Sequence, residues 1–175
     1  TRLFQFLSDW DVEISVKNAY DMIPSNYENS KTGLLWPVAG YYTVSTPFGQ
    51  RGKGFHSGMD ISGTGILGRP IFAIADGEVY MVNKSWTPSQ GTSGYASYGN
   101  FCAINHGNIT INGSSAKYVA FYAQATSIIV SVGETVKKGQ IIGYVGSTGN
   151  ATSPHLHIGI QKNGSWVNPY ALLWE

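Results

Sequence analysis

The sequence predicts a mostly β protein, built as an antiparallel sheet or sandwich. Glycine is abundant, at 22 of 175 residues, aromatic residues make up 13% of the chain, and only 12% of residues are charged. Short apolar runs follow one another between turn signals, and no convincing helical period occurs between residues 34 and 168. Many short strands at such spacing are typical of sandwiches and barrel-like sheets.

The first 33 residues differ from the rest of the chain. Pro24 ends an apolar pattern with spacings of three and four, and the polar run SNYENSKTG at 25–33 has the composition of a linker. The pattern predicts a short amphipathic N-terminal helix. We therefore expect a helical tail or linker over 1–33 and a separate domain over 34–175. The apolar residues of the pattern are Leu3, Phe6, Leu7, Trp10 and Ile14.

From residue 34 onward the predicted elements are strands. Turn signals separate them, such as ADGE, INGSS and QKNGS. The polar stretch SWTPSQGTSGYASYG, residues 85–99, is too long for a tight turn, so we expect a surface loop of the kind that lines a binding groove. In order, the candidate strands are YYTVST, PIFAIA, GEVYMV, NFCAINH, ITING, AKYVAFYA, IIVSV, QIIGYVG and HLHIGIQ.

Charge and composition exclude several classes of protein. A net charge of +1 gives no sign of electrostatic binding to nucleic acid or to an anionic membrane. No run of about 18 apolar residues is present, so we expect no membrane insertion by this segment. The single cysteine, Cys102, excludes an intrachain disulfide and is expected to be a small buried strand residue. Because the chain starts with Thr1 and shows no signal peptide, we expect a processed form or a piece of a larger polypeptide or assembly.

Two histidines lie one residue apart in the run SPHLHIGI, residues 153–160. Successive side chains of a strand point to opposite faces, so His155 and His157 are expected to point the same way. Two polar positions on a solvated face would give the same pattern. The pair therefore indicates a site only if partners for it occur elsewhere in the chain.

The segment GFHSGMDISG supplies such partners in His56 and Asp60. Residues four apart on a regular strand are separated by about 13 Å, which no single ion spans. The glycines Gly54, Gly58 and Gly63 indicate a bent segment instead, and a bend allows both side chains to face one ion.

Two imidazoles and one carboxylate are the ligand set of a catalytic zinc site, whereas structural zinc sites usually include thiolates and use four protein ligands. Three protein ligands leave one position for water, which becomes acidic when it is bound. We therefore expect one of His155 and His157 to bind zinc and the other to handle protons.

The motif HSGMD followed much later by SPHLH resembles the LytM/lysostaphin-like zinc metallopeptidases of family M23. The resemblance covers about residues 35–170 and includes PVAGYYTVSTPFGQR, PIFAIADGEV and VSVGETVKKGQIIGYVGSTGNATSPHLHIGI. It implies a β-sheet fold with a glycine-rich groove and cleavage of peptide bonds in peptidoglycan. By position, it implies that His56, Asp60 and His157 are the zinc ligands and that His155 is the catalytic histidine of the H-x-H pair.

The sequence departs from the family pattern at one position. A second catalytic histidine usually stands in a Y-x-H motif, and here the corresponding stretch reads FYAQATS, with Gln124 in its place. A glutamine amide can donate a hydrogen bond but cannot titrate. We expect Gln124 to lie on the same strand face as Tyr122, to point at the open side of the zinc and to donate to a developing oxyanion. His106 is not a substitute by alignment, and we expect it to be solvated.

Three other functions fit parts of the sequence. A catalytically impaired relative could bind the cell wall or serve in assembly on the same fold. The hairpin VGETVKKGQIIGYV also resembles biotinyl and lipoyl carriers, but Lys137 and Lys138 are not at a hairpin tip as such carriers require. Two histidines and a carboxylate also suit iron(II), although the surrounding M23-like sequence favours zinc.

The resemblance also implies where the protein acts. We expect an extracellular or cell-wall location, in a secreted bacterial protein, a conjugation apparatus or a phage virion. The expected partner is a peptidoglycan peptide. In the 85–99 loop, Tyr95 and Tyr98, and also Trp86, are candidates for substrate contact, although tyrosines in such loops often serve packing alone.

Overall fold

The structure, a computed structural model, describes residues 30–174. The expected N-terminal helix lies outside these residues. All strand pairs within them are antiparallel, which confirms the predicted fold class. The strands are β1 Thr43–Thr46, β2 Gly49–Arg51, β3 Gly54–His56, β4 Met59–Ser62, β5 Pro70–Phe72, β6 Gly77–Asn83, β7 Asn100–Ile111, β8 Ser114–Ile128, β9 Thr135–Val136, β10 Ile141–Val145, β11 Leu156–Lys162 and β12 Ser165–Val167, followed by helix α1 Pro169–Leu173.

One ten-stranded sheet carries most of the fold, with the order β1-β4-β11-β8-β7-β6-β9. Strand β12 pairs with β11, and β10 pairs with both β8 and β5, while β2 and β3 form a separate hairpin. The long β7–β8 hairpin at the centre turns at Asn112 and Gly113, which have φ values of 52° and 78°. Asn-Gly is the pair that accepts two positive φ angles most readily in a hairpin turn. The predicted strand ITING therefore continues β7 into this turn.

Alternation along the strands decides which side chains enter the core. In β11, Leu156, Ile158 and Ile160 are fully buried on the inner face. The intervening residues, which include His157 and Gly159, face the opposite side. Cys102 in β7 is fully buried, as predicted. The sheet thus separates an aliphatic core from an outer face that carries His157.

The first described residues pack against the C-terminal helix. The hydroxyl groups of Ser30 and Thr32 each donate to the backbone carbonyl oxygen of Leu172, at 2.6 Å. Leu34 and Leu35 are buried in the main core. The folded unit therefore includes residues on both sides of the predicted boundary at 33/34, and the division into two units stays a prediction. No helix within residues 30–174 has the length and apolar character that a membrane span needs.

His106 is buried rather than solvated, contrary to the expectation from sequence. Only 7% of it is exposed. Its Nδ1 donates to the carbonyl oxygen of Asp76 at 2.9 Å, and its Nε2 accepts from the Tyr122 hydroxyl, also at 2.9 Å. The same hydroxyl oxygen accepts from the backbone N–H of Ile74 at 3.0 Å. This chain of bonds uses the neutral imidazole, and burial lowers the pKa of His106 to about 4.

The burial of His106 predicts that stability falls as the pH falls from about 6.5 to about 4. As the pH falls, the unfolded chain takes up a proton on this imidazole near its ordinary pKa of 6.5. The folded protein does so only at lower pH, near its pKa of about 4. The loss attributable to His106 should be about 2 kcal/mol between pH 7 and pH 5. Denaturant unfolding of the wild type and of His106→Gln at both pH values measures it, because the variant lacks this titration. Equal losses in the two proteins would contradict the assignment.

Candidate metal centre

The segment with His56 and Asp60 is bent, as its glycines predict. Strand β3 ends at His56, and β4 begins at Met59. A Cβ atom at Gly58 would lie only 2.8 Å from Nε2 of His157, so the bend can pack against β11 only with glycine at this position. The bend therefore turns His56 back towards Asp60.

Sheet register brings His157 to the same place. His157 in β11 lies directly opposite Asp60 in β4. The distance between His157 Nδ1 and Asp60 Oδ1 is 3.0 Å, and that between His56 Nε2 and Asp60 Oδ1 is 3.4 Å. One potential ligand atom from each of the three residues lies within 4.8 Å of the others. Residues about 100 positions apart in sequence thus meet in one cluster.

Hydrogen bonds and burial set the protonation of the cluster. Burial alone would raise the pKa of Asp60, but hydrogen bonds from His157 and His56 outweigh it and hold the pKa well below its usual range. Burial lowers the pKa of His157, whereas the hydrogen bond to Asp60 raises that of His56. Asp60 is therefore ionised, and a buried neutral imidazole lies beside it, which are the states that bind metals.

The donor set fits a zinc ion. His56 Nδ1 donates to the carbonyl oxygen of Pro47 at 3.0 Å, so Nε2 is the nitrogen that faces the cluster, and it would present its lone pair once the proton shared with Asp60 is released on metal binding. Such an outer hydrogen bond fixes the tautomer of a metal-binding histidine. Two imidazole nitrogens and one carboxylate oxygen converge, and the single cysteine, Cys102, is buried elsewhere in the core.

His155 lies beside the cluster but is not part of it. It precedes β11 and pairs through an isolated bridge with Gly146. Its Nδ1 donates to the carbonyl oxygen of Ser153 at 2.8 Å, and its Nε2 lies 3.7 Å from Asp60 Oδ1. The ring is therefore held with Nε2 towards the cluster. This nitrogen lies farther from Asp60 Oδ1 than the facing nitrogens of His56 and His157 do.

The cluster lies in an open groove with a volume of about 720 Å³. Phe55, Tyr95 and Tyr98 are among the residues that line it. The ring centroids of Tyr98 and His157 are 5.8 Å apart. The indole N–H of Trp86 donates to Gly91 within its own loop at 3.1 Å, and Trp86 is not among the described lining residues. The groove thus exposes the cluster to a ligand and places two of the three candidate aromatic residues beside it.

Comparison with known proteins identifies the family. A family model described as peptidase family M23 matches residues 54–169, two thirds of the chain, and the match includes both histidine motifs. The chain belongs to peptidase family M23.

Similar proteins support the same family and fold. The DD-carboxypeptidase/endopeptidase Mpg of Neisseria meningitidis serogroup B is 33% identical over 138 residues, which are 75% of this chain and 27% of that protein. This M23 chain therefore spans about a quarter of the length of that relative. A putative peptidase M23 from Pseudomonas aeruginosa aligns with a TM-score of 0.61 at 29% identity, over 83% of this chain and 52% of the other. A zinc containing peptidase from Vibrio cholerae aligns with a TM-score of 0.59 at 26% identity, over 79% and 39%.

Gln124 lies in a bulge of β8. Opposite β7, Tyr122 pairs with Cys102 and Ala125 pairs with Asn100, so three steps along β8 match two along β7. Gln124 has a φ of +63°, in the left-handed region that costs a non-glycine residue about 1–3 kcal/mol. The bulge turns its side chain into the groove, whereas Tyr122 stays in the core. The expectation that the two share a face is therefore wrong.

The Gln124 amide has no free proton to offer beside the cluster, contrary to the expectation that it donates there. Its Nε2 donates to the carbonyl oxygens of Ser97, at 3.1 Å, and of Asn150, at 3.2 Å. These two bonds use both amide protons. Its Oε1 accepts from Nε2 of His155. Gln124 thus joins two loops of the groove and holds His155, and it has no proton left for an oxyanion.

These bonds predict that Gln124→Glu is more destabilising than Gln124→Ala. Alanine leaves two backbone carbonyl oxygens without these donors, which should lower the free energy of unfolding by about 1–3 kcal/mol. Glutamate has the same shape but puts a carboxylate, which cannot donate, against the same oxygens. Denaturant unfolding of both variants at pH 7 gives the comparison. If Gln124→Glu is as stable as the wild type, then the two carbonyl contacts do not hold the amide.

Proposed function

We propose that this chain is a zinc-dependent endopeptidase that cleaves peptide bonds of bacterial peptidoglycan. One observation carries the proposal: His56, Asp60 and His157 converge at the surface of an open groove, beside a fourth side chain suited to proton transfer. The names of two similar proteins, a DD-carboxypeptidase/endopeptidase and a zinc containing peptidase, point the same way.

The ligand atoms would be His56 Nε2, Asp60 Oδ1 and His157 Nδ1, because these atoms face one another. When bound, zinc supplies Lewis-acid chemistry, making water acidic enough to act as the nucleophile near neutral pH and polarising a peptide carbonyl. The protein contributes the shape of the centre. Asp60 is shared by both histidines, and the Pro47 carbonyl holds the His56 ring in place.

His155 is the group that would hold and move the proton. Its Nδ1 is tied to Ser153, so Nε2 is the atom that faces the centre. A general acid or base must lie within hydrogen-bond reach of the reacting atoms, directly or through one water. Gln124 accepts from this nitrogen and therefore acts as a positioning residue rather than as a second proton carrier.

The groove would hold the peptide in an extended form. Tyr95 and Tyr98 lie in its lining, with the Tyr98 ring next to His157, and we propose that both contact the substrate. Peptidoglycan lies outside the cytoplasm, so this function implies action at the cell wall, whether from a secreted protein, a conjugation apparatus or a phage virion. The partner is the peptidoglycan peptide.

A catalytically impaired wall-binding or assembly module is the second candidate. The observation in its favour is that both protons of the Gln124 amide are engaged by Ser97 and Asn150. Among the described residues that line the groove, His155 is therefore the one histidine outside the ligand set, where the resemblance implies two. Such a module would still bind zinc and peptide.

Digestion of purified peptidoglycan, followed by mass analysis of the soluble fragments, tests the proposed function. We expect new amino termini from cleaved cross-links or stem peptides. We also expect the activity to disappear with a chelator and to return when zinc, but not iron(II), is added. A protein that binds zinc stoichiometrically and releases no fragment would favour the impaired module.

A further inference from the structure

An aromatic surface lies on the outer face of the sheet, next to the groove. Its buried base is a cluster separate from the main core, with Phe101 and Phe121 at its centre. Four partly exposed rings cover this base, and we refer to them as the aromatic platform: Tyr80, Tyr95, Tyr98 and Trp166.

Ring contacts join the platform to its buried base. Tyr95 stacks on Phe101 with an interplanar angle of 8° and centroids 6.1 Å apart. Tyr80 meets Phe121 edge to face at 6.3 Å, and Trp166 packs on the same ring at 5.2 Å. A Cβ atom at position 159 would come within 2.8 Å of the indole, so Gly159 is what allows Trp166 to lie across β11.

The platform is exposed and continuous with the groove. Tyr95 is 61% exposed and Tyr80 is 42% exposed. Tyr95 and Tyr98 also line the groove, whereas Tyr80 in β6 does not. The surface therefore begins beside His157 and extends across the sheet, away from the ligand cluster. Exposed apolar patches of this kind commonly mark binding sites.

We propose that the aromatic platform binds the glycan strand of peptidoglycan while the groove holds the peptide. The proposal rests on the proposed function and adds the second part of the substrate. Pyranose rings have apolar C–H faces and hydroxyl edges, and aromatic rings present an electron-rich face to such hydrogens. Tyrosine and tryptophan add polar tips for the hydroxyl groups.

The chemistry of the platform favours a neutral sugar polymer over other ligands. All four rings are uncharged, so the platform itself provides no attraction for a phosphate backbone or a phospholipid headgroup. In peptidoglycan the peptide is attached to the glycan. A substrate with its peptide beside His157 therefore brings sugar rings close to the groove wall, where Tyr95 and Tyr98 join the two surfaces.

Titration with a β-1,4-linked N-acetylglucosamine hexamer tests the platform, because this soluble glycan has no peptide. We expect saturable binding by calorimetry and NMR shifts at the platform residues. Tyr80→Ala should weaken binding about three- to tenfold, the contribution typical of one aromatic contact. Leu67→Ser is the matched control: it is 60% exposed, lies in the loop between β4 and β5 and belongs to neither surface. Thermal unfolding of both variants checks that the fold is intact.

The outcomes separate this proposal from the proposed function. Absence of hexamer binding, or unchanged binding by Tyr80→Ala, would overturn the platform even if the wild type cleaves a cross-linked peptide dimer. Hexamer binding that Tyr80→Ala weakens supports the platform, even if the wild type cleaves no peptide and the proposed function fails. If sedimentation shows a dimer that Tyr80→Ala converts to a monomer, the face joins two copies of the chain and the glycan proposal is overturned.

Discussion

A His157→Ala variant is expected to lose its zinc and all measurable cleavage of peptidoglycan. His157 Nδ1 lies 3.0 Å from Asp60 Oδ1, and its removal leaves two ligands where catalytic zinc sites use three. Losing an outer partner of a ligand already costs about 10- to 100-fold in metal affinity, so the loss of a ligand should exceed about 100-fold. Metal analysis after dialysis and a competition titration with a chelator measure the loss.

The same loss is expected for His56→Ala and Asp60→Ala, because each supplies one of the converging atoms. Gln161→Ala is a suitable control, since it lies in the same strand as His157 and is not in the cluster. It should keep its zinc. A His157→Ala protein with full zinc occupancy would show that the ligand assignment is incorrect.

A His155→Ala variant is expected to keep its zinc and to cleave peptidoglycan about 10²- to 10⁴-fold more slowly, the contribution typical of a general acid or base. The distance of 3.7 Å between His155 Nε2 and Asp60 Oδ1 places the ring near the cluster, outside the three converging residues. Rates on peptidoglycan, measured together with zinc content, separate the loss of proton transfer from the loss of metal.

The matched comparison for this variant is Gln124→Ala, which removes the acceptor next to His155 Nε2 and keeps the imidazole itself. We expect a smaller loss of rate for Gln124→Ala than for His155→Ala. If His155→Ala loses its zinc, then the two histidines have exchanged roles or both are ligands. Equal rates for His155→Ala and the wild type would exclude His155 as the proton carrier.

The longer strands follow from local patterns. The alternation of Leu156, Ile158 and Ile160 with polar or small residues predicts β11 and its buried face. The predicted strands do not include β2, β3, β4, β9 and β12, which have two to four residues each. The sequence of so short a strand shows almost no periodicity. Pairing with a neighbouring strand determines its extended conformation instead.

Gln124 and His106 show where such patterns fail. Strict alternation places Gln124 on the same face of the strand as Tyr122, but a bulge in β8 turns the Gln124 side chain to the opposite face. The extra residue of the bulge becomes visible only when β8 is paired with β7. His106 looks like a solvated residue before a turn, whereas the Tyr122 hydroxyl and the Asp76 carbonyl enclose it. The partners of His106 lie 16 and 30 residues away in the chain.

The family, the antiparallel class and the types of side chain available to a metal follow from the amino-acid sequence alone, because strand alternation and motif spacing are local properties. The tertiary structure decided which atoms converge: the register between β4 and β11 sets Asp60 opposite His157, and the Gly58 bend brings in His56. It also decided that Gln124 holds His155 and two loops. These contacts join segments up to about 100 residues apart, and their geometry depends on packing and bulges that no local pattern records.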